Sequence, residues 1–129
     1  MSTAAGIALS NAGLTVLSEE EDLFRASVRE FAEGEVRPKV EAMEHAGKLD
    51  PDIIKHCFQL GLMAIESPEE YGGAGSTIFN AIVAIEELAR VDASVSVFVD
   101  VHNTLVTNAF MKVSQPDMQN WLSTASSPG

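Results

Sequence analysis

The sequence predicts an all-α, antiparallel helical domain, and three observations lead there. Apolar residues recur near helical spacing along most of the chain, cap signals frame those segments, and the connections between them are short. At 129 residues the chain suits one domain able to bury about two-thirds of its unfolded surface. The expected divisions are a flexible leader over 1–17, a helical domain over 18–122 and a disordered, small polar tail, "STASSPG", over 123–129.

The first helix opens on Ser18 and Glu21, which fit the S-x-x-E capping box, and Phe24, Val28, Phe31, Val36, Val40 and Met43 follow on one face. Pro38 removes a donor and crowds the carbonyl of Gly34, so a kink or break is expected near Glu35. Asp50 and Pro51 read as the N-cap and first position of a short second helix, with Gly61 as its stop. From Ile78, the positions Ala81, Ile82, Ile85, Leu88 and Ala89 form an apolar stripe, widened by Phe79, Val83 and Ala84, so this helix is expected to be largely buried. Glu86 and Arg90, four apart with the acid first, are placed for a helical ion pair.

The stretch "DASVSVFVDVHNTLVTNAFMKV" carries two signals. Val95, Val97, Val99 and Val101 alternate as a β-strand would, with the β-branched side chains strands favour. Yet Val95, Phe98, Val99, His102, Leu105, Val106, Ala109, Phe110 and Val113 fit a helical stripe over five turns, with Asp92 as N-cap. Length favours the helix, over Ser94 to Val113. Ser96, Asp100, Asn103 and Thr107 then fall within about 60° of one another as a narrow polar stripe, which a solvated edge would equally explain.

Composition excludes several functions. Nineteen acidic against eight basic residues give a formal net charge of -11, which repels nucleic-acid phosphates and anionic lipid. No apolar run approaches the ~18 residues that span a bilayer. The single cysteine, Cys57, excludes an internal disulfide and a cysteine-rich zinc site and suits a reducing compartment. Met1 to Leu17 carry no charged side chain, so neither a secretory n-region nor an arginine-bearing transit peptide is visible there.

The residues offer little chemistry by themselves. "SPEEYGGAGST", Ser67 to Thr77, could suggest a phosphate cradle, but no Gly-Lys-Ser/Thr ending follows, Ile78 stands where a dinucleotide fingerprint needs its third glycine, and Glu69 and Glu70 would repel the ligand. A tight turn leading into a helix is the plainer reading. Ser96, Asp100 and His102 cannot make a hydrolase triad, because on a helix His102 points about 120° away from the others. His45, His56 and His102 lack metal-ligand spacing. From the residues alone, this is an acidic helical domain with no catalytic group and no metal site.

The succession from His56 to Leu105 says more. Its Leu-Gly-Leu-Met, Pro-Glu-x-Tyr-Gly-Gly-x-Gly and Glu-Glu-Leu-Ala-Arg-x-Asp-x-Ser blocks resemble, in order and spacing, the N-terminal helical domain of the FAD-dependent acyl-CoA dehydrogenases, over about Leu17 to Leu122. "VFVDVHNTL" is most similar to the short/branched-chain members. The resemblance implies α,β-dehydrogenation of an acyl-CoA in fatty-acid or branched-chain amino-acid breakdown, with FAD as cofactor, electron-transfer flavoprotein as partner and the mitochondrial matrix as location. It implies that "PEEYGGAG" is a structural joint and that Ser96, Val99, Asp100 and Asn103 line the closed end of the acyl cavity, selecting shape and polarity. In the family a middle β-domain holds much of the flavin and a C-terminal bundle usually carries the glutamate base. Here Trp121-Leu122 runs into Ser123 where the family's Trp-Leu-Pro leads onward. The chain by itself is therefore expected to be inactive, not to retain FAD and to self-associate through unpartnered apolar surface; a stand-alone helical interaction module is the alternative.

Overall fold

A computed structural model describes residues 16–113. Most of the expected leader, Trp121, Leu122 and the expected 123–129 tail lie outside the described residues. Helix α1, Glu19–Phe31, starts with both bonds of the capping box: the Glu21 N–H donates to Ser18 Oγ at 3.2 Å and the Ser18 N–H to Glu21 Oε2 at 3.0 Å. The expected disturbance before Pro38 is present as a widened turn, not a break. Ala32–Val36 is π-helical, with the Arg37 N–H reaching the Ala32 carbonyl, and Arg37–Lys39 is 3-10 before α2 resumes over Val40–Ala46. Proline offers no N–H to the Gly34 carbonyl, so the turn ahead of it loosens while Ala32 and Val36 stay buried.

Helix α3, Pro51–Gln59, is capped by Asp50, whose carboxylate accepts from the Asp52 N–H at 2.8 Å, and the chain leaves it through Gly61 at φ 74. Leu62, Met63, Ala64 and Ile65 then cross the core without regular structure, every side chain buried. Beyond the tight Glu69–Tyr71 turn, α4 (Ile78–Ala89) begins at the Thr77 cap and packs against both α1 and α5 (Ala93–Val101). The three-residue turn Arg90–Asp92 folds α5 back along α4, and Ser96 Oγ donating to the Ile85 carbonyl at 2.8 Å fixes the antiparallel register. Val28, Ile53, Leu62, Ile65, Leu88 and Val99 belong to one core.

The alternating valines are helical. Asp92 caps α5 by accepting from the Val95 N–H at 2.8 Å, and the helix continues through a π-helical segment, His102–Thr107, into α6, Asn108–Val113. No strand occurs among the described residues, and the fold is the expected all-α domain.

Three details differ from expectation. Arg90 pairs with Glu87 at 3.3 Å, not with Glu86, because Glu87 lies on the buried side of α4, where Arg29 of α1 also reaches it. Ile82 and Ala89 of the expected α4 stripe are exposed. Along α5, the π-helical segment and α6, Leu105, Ala109 and Val113 are exposed and the inward line is Val95, Val99, Asn103, Thr107, a spacing of four. In a regular α-helix that spacing drifts about 40° per step; the wide turn at His102–Thr107 absorbs the drift and keeps Thr107 inward.

Candidate functional site

Of the four residues expected at a cavity, three turn into the chain's own interior. Asn103 is buried and fully engaged: its Oδ1 accepts from the Ile65 N–H at 2.8 Å, and its Nδ2 donates to the carbonyls of Leu62 at 2.7 Å and Val99 at 2.8 Å. It therefore ties α5 to the irregular 62–65 segment, whose backbone has no helix or sheet to satisfy it. Ser96 is held by its bond to Ile85, and Val99 is core. Asp100 is half-buried and accepts from Thr104 Oγ1 at 3.2 Å.

The outer side of α5 carries a different feature. Val97, Phe98, Val101, His102 and Val106, with Leu49 from the loop ahead of α3, line an open apolar groove of about 640 Å³; none of the four expected residues is in that lining. Val97 is 57% and Val101 38% exposed, large aliphatics facing outward along the groove. Sequence reasoning passed over this wall because its valines were weighed only as strand against helix. The available signal was that Val97 and Val101, four apart, lie off the inward stripe and still are apolar.

His102 is one of the two polar side chains in this lining. Its Nδ1 is 2.6 Å from the Met63 carbonyl, and its ring meets that of Phe58 edge-on at 5.5 Å. A carbonyl only accepts, so Nδ1 carries the proton. Burial pushes the imidazole pKa down, outweighing the upward pull of the Met63 bond, and the ring is neutral near pH 7.

Outside the groove, Glu87 is a buried carboxylate whose oxygens accept from Arg29 Nε and Nη2, each at 2.8 Å. Bonding to Arg29 holds its pKa below the ordinary glutamate value, against the opposing effect of burial. Cys57 is fully buried, and that burial, reinforced by the charge of Glu35, pushes its thiol up to about 12, which removes it as a nucleophile.

The glycine-rich loop does not fit the diphosphate of a flavin dinucleotide. Its backbone donors are already spent inside the chain: Gly72 donates to the Glu69 carbonyl, Gly73 to Pro68, Ala74 to Ala64, Gly75 to Ser67 and Ser76 to Ile65, at 2.8 to 3.1 Å. A Cβ on Gly73 would lie 2.2 Å from the Ser67 carbonyl oxygen, so glycine is required for the loop to lie down on its own core. Among the described residues, no group of three or more His, Cys, Asp or Glu is placed to hold a metal ion, and no helix is long and apolar enough to cross a membrane.

Comparison with known proteins agrees with this architecture. Residues 18–126 match the family described as acyl-CoA dehydrogenase, N-terminal domain. A protein of Dictyostelium discoideum named "Probable short/branched chain specific acyl-CoA dehydrogenase" is 46% identical over 95 residues, 74% of this chain and 23% of the relative. The mitochondrial short/branched chain specific acyl-CoA dehydrogenase of Bos taurus is 40% identical over 101 residues, 78% of this chain and again 23% of the relative. The chain thus spans about a quarter of the length of these relatives. Among solved structures, butyryl-CoA dehydrogenase from Megasphaera elsdenii superposes with a TM-score of 0.76 at 25% identity, covering 87% of this chain and 30% of that one. With the family matched over most of its length, this chain belongs to the acyl-CoA dehydrogenases, as their N-terminal domain.

Proposed function

We propose that this chain supplies one apolar wall of the acyl site in an FAD-dependent acyl-CoA dehydrogenase acting on short or branched acyl-CoA, and that by itself it neither retains FAD nor oxidises substrate. The groove along α5 carries the reading: the helix buries Val95, Ser96 and Val99 and leaves Val97 and Val101 exposed on its outer face, as a wall does when the rest of its cavity comes from elsewhere. The names of the Dictyostelium and bovine relatives support the acyl class. The occupied donors of the 72–76 backbone support placing the flavin site outside the described residues. In this reading Ser96, Val99, Asp100 and Asn103 shape the cavity from behind, by fixing where α5 lies and how its outer face is presented. Electron-transfer flavoprotein is the proposed electron acceptor of the complete enzyme, and the mitochondrial matrix the proposed compartment, after the bovine relative.

The test is to put residues 18–122 in place of the matching segment of the bovine relative. The hybrid is expected to bind FAD and reduce a dye with a short acyl-CoA, and Val101→Phe in it to lower kcat/KM at least tenfold. The 129-residue chain alone is expected to purify colourless and to give no dye reduction. A yellow isolated chain, or a hybrid indifferent to Val101→Phe, would overturn the proposal. The exposed Ile78, Ile82, Val97 and Leu105 also predict self-association of the isolated chain, since each large aliphatic left in water forgoes ~1.5–3 kcal/mol; light scattering that shows a monodisperse monomer would count against that surface and favour a stand-alone module.

A further inference from the structure

The apolar run of the groove is interrupted at His102, with Ser94 the other polar member of the lining, near the start of α5. Three contacts hold the imidazole in place: Nδ1–H donates to the Met63 carbonyl, the Thr107 hydroxyl lies 3.4 Å from the same nitrogen, and the ring packs edge-on against Phe58. Met63 is itself fully buried in the core, so the ring is anchored to a rigid part of the molecule. Because the neutral ring has its proton on Nδ1, Nε2 offers only a lone pair, and no described residue donates to it. A saturated chain lying against His102 would strip water from that acceptor and give nothing back. An occupant that ends before the imidazole leaves the water in place; one that sets a hydroxyl there replaces it.

We propose that His102 is a specificity-determining residue of the groove: Nε2 favours an occupant whose chain stops short of the imidazole or places a hydrogen-bond donor on it, and disfavours a saturated chain that runs past. The inference rests on the groove being an acyl wall. A binding site that hydrogen-bonds a hydroxyl discriminates against an isostere without the donor, because its own polar atom is then left unpaired.

Two isomeric probes separate the possibilities on the chain as it exists: 1-hexanol, with a donor, and 1-methoxypentane, without one. Each is titrated at pH 7.5, at a dilution at which light scattering finds the chain monomeric, into chain carrying ¹⁵N-labelled histidine and backbone; the Val97 and Val101 amides report occupancy and the His102 Nε2 resonance reports hydrogen bonding. Both probes are expected to shift the amides. The alcohol is expected to bind about tenfold more tightly and alone to move Nε2, and His102→Phe to abolish the difference. Equal amide shifts with no Nε2 response to the alcohol would overturn the role of His102 and leave the groove standing. No amide shift with either probe would overturn the groove reading itself. Should His102→Phe fail to fold, the Nε2 response of the unaltered chain decides alone.

Discussion

The two faces of the bundle, α1 against α4 and α5 against its neighbours, are fastened by different chemistry. Toward α1 the tie is ionic: Glu87 takes two bonds from Arg29 and a third from Arg90, both guanidiniums being about half exposed. Around α5 the ties are neutral and buried: Ser96 to the Ile85 carbonyl, and Asn103 to the backbone of Leu62, Ile65 and Val99. A partly solvated ion pair can lose a partner to water, whereas a buried amide has nothing else to bond. The first side should therefore respond to pH and salt and tolerate mutation, and the second should ignore pH and salt and tolerate almost none.

Asn103→Ala tests the stricter side and should have the largest effect. It leaves the Ile65 N–H and the Leu62 carbonyl unpaired inside the core and removes a third bond, to Val99. At ~1–3 kcal/mol for each buried group left unsatisfied, the loss is about 3–5 kcal/mol, comparable with much of a small domain's stability. Urea unfolding of the isolated chain measures it, and a loss under about 1 kcal/mol would show that water or backbone movement replaces the staple.

The two sides were unequally legible in the sequence. The capping box at Ser18, the Asp50–Pro51 start, the stop at Gly61 and the Asp92 cap are local devices, with donor and acceptor within four residues, and each is present as expected. Asn103 finds its partners 38 and 41 residues away, on a segment with no periodicity to announce it. Its polar neighbours on the helix suggested a solvated edge and the family resemblance a cavity lining, and neither announced the unpaired backbone across the core that its side chain satisfies. Glu87 was hidden for a related reason: a carboxylate on a buried helix face makes sense only once Arg29, 58 residues away, is brought beside it.

Glu87→Gln tests the ionic side and should cost less than Asn103→Ala. Its pKa is held low in the folded chain, so the contribution of the charged form is complete above the ordinary glutamate value of 4.5 and disappears as pH falls through the lower folded value. The stability difference between Glu87→Gln and the unaltered chain should accordingly be full at pH 7, shrink below pH 4.5 and be reduced by salt, while the cost of Asn103→Ala stays constant over the same range. A pH-independent difference at Glu87 would mean that shape, not charge, fastens α1 to α4.

The smallest effect is expected at Pro38, where the comparison turns on why each side contains a widened turn. Ala32–Val36 is wide next to a proline, and His102–Thr107 is wide with no proline near it, its Asn103 and Thr107 pulled inward toward the 62–65 segment. If proline causes the first, Pro38→Ala restores a donor for the Gly34 carbonyl, and the Arg37 N–H should move from the Ala32 carbonyl to that of Glu33, closing a regular α-turn. The stability change should stay within about 1 kcal/mol, because the recovered helix bond is offset by the greater freedom of the unfolded chain without proline. A crystal structure of the variant decides: should Arg37 keep its bond to Ala32, the turn is held by the burial of Ala32 and Val36, and both wide turns would then have the same tertiary origin.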